Sequence, residues 1–240
     1  FGAEELSPTE LTPAPISLRS RVHDYGGGVL CSGMDGETLL LVWIADGALW
    51  RQDWRLPLLG DNRPEPLMAP LKLTRDGDWQ LADGLLDLSR RRWLGIREVN
   101  GVDQLVSADL DATEQEPKLR HQPADFAGYG CLSADGTQLA WVEWQQPAMP
   151  WQSSELWCAD LSPSGELTEA RAIAGGEGVS VFQPQWLPDG SLLVAEDSDG
   201  WWNLKRRGPG STTWENPWPM TAETAMPQWI YGMSTTAWDG

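Results

Sequence analysis

The stretch "LSADGTQLAWVEW" (132–144) decides how the chain is read. An Asp-Gly pair favours a tight turn, and the run after it is rich in Leu, Ala, Trp and Val, as a buried strand is. The same device recurs in "MDGETLLL" (34–41) and "LPDGSLLVA" (187–195), and the chain ends on Asp239-Gly240. The glycines Gly36, Gly136, Gly190 and Gly240 are separated by 100, 54 and 50 residues, and the first interval holds two units whose middle is occupied by "LDLSRRRWLG" (86–95). A period of ~45–55 residues carrying about four short strands is the mark of a propeller blade.

Working outward, strand-turn-strand patterns cover 38–54, 92–110, 137–144 with 154–161, and 191–207, and no amphipathic helical pattern runs beyond ~10 residues. The expected blade is an outer approach strand ending at the Asp-Gly turn, an inner hairpin, and a closing strand such as 170–176. The fold expected is all-β: one partial β-propeller domain over 1–240, with about four blades plus the start of a fifth. An open arc leaves sheet edges bare, so further blades and cut chain ends are expected. The Pro-rich segments 57–70 and 144–153 are expected between blades, on a rim.

Composition narrows the function. The chain has 35 acidic and 17 basic residues, a formal net charge of -18, and so lacks the basic footprint that nucleic acid or an anionic membrane requires. No apolar run approaches the ~20 residues of a membrane span. Cys31, Cys131 and Cys158 are widely spaced with no paired histidines, which points to buried thiols in a reducing, cytoplasmic setting and to neither a disulfide framework nor a metal site. No cofactor motif is present, and a phosphate-cradling loop is absent.

Catalytic chemistry is sparse. "GMSTT" (232–236) lacks the second glycine of a nucleophile elbow, and His23 and His121 are the two histidines of the chain. His121 is expected at a solvated strand end. Asp35, Asp135 and Asp189 precede turn glycines and read as backbone caps. Of the 16 tryptophans, Trp43, Trp50, Trp54, Trp141, Trp144, Trp157, Trp186, Trp201, Trp202 and Trp229 are expected mostly as packing between blades, and Trp151, in the loop "PAMPW", as the one facing a ligand.

"RVHDYGGG" (21–28), "WQQPAMPWQSSELWCADL" (144–161), "VFQPQWLPDGSL" (181–192), "DGWWNLKR" (199–206) and "AMPQWIYGMST" (225–235), in that order and spacing, resemble the N-terminal β-propeller of the prolyl oligopeptidase family of serine peptidases. The acylaminoacyl-peptidase-like and dipeptidyl-aminopeptidase-like branch is the nearest. The resemblance implies a seven- or eight-bladed parent propeller and a C-terminal α/β-hydrolase domain of the same parent chain, which would carry the Ser, Asp and His triad. It also implies short peptide substrates. On this reading the segment has no catalytic residue of its own, and Arg21, His23, Tyr25 and Trp151 line the face that admits peptides, while Gly26, Gly27 and Gly28 serve the backbone. The chain departs from the family where Gln146 and Gln152 stand for a usual histidine and aspartate, Ser198 for an arginine, and where "IADGALW" (44–50) lacks a Gln-Arg pair. The competing expectations are a protein-interaction platform of the WD-repeat kind and a carbohydrate-active propeller that uses tryptophan for sugar stacking.

Overall fold

The computed structural model describes residues 9–57 and 63–238. Four antiparallel sheets follow one another along the chain. The first holds β1 (Leu30–Asp35), β2 (Thr38–Ala45) and β3 (Ala48–Arg55), with β4 (Glu65–Pro66) and β5 (Leu71–Lys72) sharing its outer edge. The second is β6 (Gln80–Asp87), β7 (Arg92–Val99), β8 (Val102–Asp109) and β9 (Lys118–His121). The third is β10 (Phe126–Leu132), β11 (Gln138–Trp144), β12 (Ser154–Leu161) and β13 (Leu167–Gly176), and the fourth is β14 (Val181–Trp186), β15 (Leu192–Glu196) and β16 (Asn203–Arg207). These are four blades of a β-propeller.

The core lies between blades. Leu139 and Trp141 of β11 pack with Leu94, Ile96 and Leu105 of the second blade, whereas Ala140 and Val142 pack with Val181, Leu192 and Val194 of the fourth. Both faces of the strand are therefore buried, which is why "QLAWVEW" reads as a nearly continuous apolar run. Burying each such large side chain stabilises by roughly 1.5–3 kcal/mol. Trp93 is 1% exposed and fills the wedge between the first two blades; a Cβ at Gly84 or Gly95 would overlap its indole.

Contacts between β1 and β6, β6 and β10, and β10 and β14 make the first strand of each blade the innermost one. The strand before each Asp-Gly turn is thus inner, not outer as expected, because the wedge is narrowest where the first strands converge. The segments 57–70 and 144–153 also lie within blades, after β3 and between β11 and β12, rather than between them; residues 58–62 of the former are outside the described residues. Residues 208–238 form no named strand, and the fifth unit begins with an isolated parallel bridge from Tyr231 to Gly27. Its Asp239-Gly240 turn lies outside the described residues.

The blade ends differ in kind. One end carries the turns from first to second strand and from third to fourth; we call it the turn end. The other carries the second-to-third-strand loops and the connections between blades, and is the loop end. In the second blade a single 3-10 turn, Leu88–Arg90, replaces the Asp-Gly pair, and Arg91 takes the left-handed position at φ 48°.

Candidate functional site

The inner strands share a feature that spacing alone did not reveal. Gly28, Asp83, Tyr129, Gln183 and Gly232 all have positive φ, at 56°, 54°, 57°, 52° and 78°, and recur at intervals close to the blade period. Around Asp83, Tyr129 and Gln183 the register to the second strand shifts, so each marks a bulge. The Asp83 N–H donates to the Gly28 carbonyl at 2.9 Å. Its carboxylate accepts from the backbone N–H of Tyr129, and of Gly130 and Gly232. Burial pushes the Asp83 carboxyl up, to about 6, with the Asp103 charge adding to the rise and the backbone donors opposing it.

Beside this ring, toward the loop end, stands a second hub. Asp103 is fully buried at the start of β8. It accepts from His23 Nε2 at 2.9 Å, from the Tyr231 hydroxyl at 3.0 Å and from the Ala127 N–H at 3.0 Å. The His23 ring meets Phe126 edge-on, with centroids 5.0 Å apart, and lies 5.4 Å from the Tyr231 ring. His23 itself is held in the left-handed region at φ 52°, where its N–H donates to Glu98 at 2.7 Å. One carboxylate thus ties the chain's early segment to blades two and three and to the fifth unit.

The expected site residues are distributed over this loop end. His23 is half-buried and bonded, whereas Tyr25 is 67% exposed beside it; both border the small hollow next to Tyr231 and Trp229. Trp151 is half-buried and packs on Trp229, with centroids 4.4 Å apart. Arg21 is exposed and lines a different cleft, between blades one and two. Gly26, Gly27 and Gly28 all have positive φ, and at Gly27, φ 94°, a Cβ would run into the Tyr231 backbone.

Several expectations change. Trp201 and Trp229 are exposed, at 41% and 55%, not packed between blades, because both sit at the loop end, past the strands. With Tyr25, Met149, Met226 and Ile230 they give that end an apolar rim. His121 ends a strand but is not solvated: its Nε2 lies 2.7 Å from Glu143 and its ring rests between Trp141 and Trp157. Asp135 and Asp189 cap backbone N–H groups of Thr137 and Ser191, whereas Asp35 binds Arg91 at 2.7 Å instead. Neither histidine has a serine hydroxyl as hydrogen-bond partner among the described residues. All three cysteines are free thiols; burial pushes Cys31 up to about 12 and Cys131 up to about 11. No helix among the described residues is long and apolar enough to cross a membrane, and they contain no cluster of three metal-ligating side chains.

No protein-family model matches the chain, and no curated protein matches it. Solved structures do. Puromycin hydrolase in complex with PGG is 29% identical with a TM-score of 0.78, over 92% of this chain and 35% of that one. A puromycin-hydrolyzing peptidase from Mycobacterium tuberculosis is 28% identical with a TM-score of 0.75, over 93% of this chain and 36% of the other. Prolyl oligopeptidase B from Galerina marginata, 11% identical over 81% of this chain and 28% of its own with a TM-score of 0.53, shares the fold alone. The chain therefore spans little more than a third of the length of the puromycin-hydrolysing structures it matches.

Proposed function

We propose that this β-propeller segment of the prolyl oligopeptidase family is the substrate-admitting part of a peptidase that hydrolyses short peptides. Catalysis belongs, on this reading, to an α/β-hydrolase domain elsewhere in the parent chain. The observation that carries it is the likeness at 28–30% identity, over nearly the whole segment, to enzymes that hydrolyse puromycin. The apolar rim of Tyr25, Trp229 and Ile230 supports a surface that meets substrate or the hydrolase domain, since clustered exposed apolar groups mark interaction sites. On this reading the end of the parent propeller excludes folded proteins by its width and admits flexible peptides. The free thiols are in keeping with a reducing compartment such as the cytoplasm.

The test uses the parent chain. Tyr25→Ala and Trp151→Ala should change kcat/KM differently for dipeptide and longer substrates while leaving Tm unchanged. Equal kinetics on every peptide length, with a folded and active enzyme, would remove these residues from the admission path. A parent without peptidase activity would sink the reading as a whole and favour a binding platform.

A further inference from the structure

A cleft of about 460 Å³ lies at the loop end between the first two blades, away from the His23 hub. Its chemistry is unusual for a chain of net charge -18. Ser17, Arg19 and Arg21 line one side as alternate residues of an extended segment. That segment is pinned to the second strand of blade one by a Leu18–Ala45 bridge and by the Arg19 N–H donating to the Ile44 carbonyl at 3.0 Å. Ser20 and Val22 turn into the protein, and the alternate residues Arg19 and Arg21 stay exposed along the cleft.

Nine of the other arginines hold carboxylates within 4.0 Å, but Arg19 and Arg21 hold none among the described residues. The far wall is Trp79, 8% exposed and clamped by Arg75 and Arg97 over its ring at 4.6 and 5.5 Å. Its buried indole N–H has no acceptor among the described residues. Gly47, Gly77 and Gln80 complete the lining, and Asp46 on the lip is the single acid, unpaired with either arginine. Two cations against one anion give the cleft a net positive lining.

We propose that this cleft is a carboxylate-binding site, in which Arg19 and Arg21 grip a carboxylate group of a small acid or of a peptide C-terminus. Planar guanidinium groups match carboxylate oxygens pairwise, and the volume suits a ligand of tripeptide size. The site is independent of the peptidase reading, because it needs no catalytic domain to bind.

Calorimetric titration of the parent chain at low salt tests it with three probes: N-acetyl-trialanine, its C-terminal amide, and glutarate. The two acids should bind and the amide should not. Tighter binding of the peptide acid identifies a chain terminus as the ligand, and tighter binding of glutarate identifies a free diacid. Arg19→Gln and Arg21→Gln should each weaken binding about tenfold, the value of one charge-assisted contact, and Asp46→Asn should tighten it. Rising salt should weaken it. Both arginines are exposed, so Tm should hold, and Arg171→Gln, an exposed arginine elsewhere, should change nothing. Equal binding of acid and amide, acid binding that survives the double arginine variant, or no binding at millimolar concentration would overturn the site.

Discussion

The turn end and the loop end of these blades are built from the same strands and hold together differently. At the turn end the second blade's Arg90, Arg91 and Arg92 clamp both neighbours. Arg91 reaches Asp35 of blade one, while Arg90 and Arg92 donate to carbonyls of Gly136, Ser162 and Gly165 in blade three. Asp87, fully buried, fixes Arg90 at 3.0 Å and Arg92 at 2.9 Å. At the loop end the ties run through two buried acids, Asp103, which holds His23 and Tyr231, and Glu143, which holds His121, and through aromatic rings, and the outer surface is left apolar and open. The difference separates a region committed to stability from one with unspent binding surface.

The most damaging way to break the comparison is to remove a buried acid at either end. Asp87→Ala strands Arg92 in a buried site and should cost about 3–5 kcal/mol. Asp103→Ala should cost a similar amount if the loop-end hub is as structural as the turn-end clamp. Urea unfolding of both variants decides this, and a loop-end loss below about 1 kcal/mol would mean that His23 and Tyr231 are held by packing alone. Next in size is Gly27→Ala, which forces a left-handed residue against the Tyr231 backbone and should cost more than ~2 kcal/mol. An unchanged Tm would show that the fifth unit is free to move away from blade one. Tyr231→Phe, which removes only the hydroxyl bonded to Asp103 and to the Ala127 carbonyl, should cost about 1–2 kcal/mol.

These magnitudes also explain what could be read from the sequence. The turn end was legible because its signals are local: an Asp-Gly pair and the strand after it lie within ten residues. Its one exception, "LSRRR", gave the position of a turn but not the clamp, since the partners of Arg90 and Arg92 are up to 73 residues away. The loop end depends on longer reach still. Tyr231 and Asp103 are 128 residues apart and His23 and Asp103 are 80 apart, so nothing near His23 announces its partner. Inner and outer strands were exchanged for the same reason, because both are short and apolar and only the convergence of blades tells them apart. The left-handed residues Tyr129 and Gln183 carry no sequence signal: the types that favour this conformation, glycine and aspartate, occupy only Gly28, Asp83 and Gly232 of that series.

pH sharpens the contrast further. Burial pushes Asp87 up, but the Ser89 hydroxyl and the Arg92 and Arg90 guanidinium groups outweigh it, so its carboxyl titrates below the usual range. The Arg91 contact holds Asp111 down, at about 2. Both groups therefore contribute stability above pH ~4 that is lost on further acidification. Asp83 has the opposite sign. With a folded value of about 6 against an unfolded value near 4, the folded state binds the extra proton, and stability falls as pH rises between ~4 and ~6. Asp83→Asn should remove that slope and leave the acid limb below pH ~4 intact, whereas Asp87→Asn should soften the acid limb alone. Urea midpoints measured from pH 3 to 8 would show it; a slope between ~4 and ~6 that persists in Asp83→Asn would assign it to another carboxylate.

The smallest expected change carries the functional half of the comparison. Trp229 is 55% exposed and packs on one side against Trp151, so Trp229→Ser should shift stability by no more than about 0.5 kcal/mol. A large exposed indole that adds so little to folding persists at the loop end for another reason if the rim meets a peptide or a partner domain. The measurement pairs Tm with kcat/KM in the parent chain: stable protein with altered turnover supports a working surface. A loss of several kcal/mol would instead make the Trp151–Trp229 pair part of the framework, and the loop end would then differ from the turn end in chemistry but not in purpose.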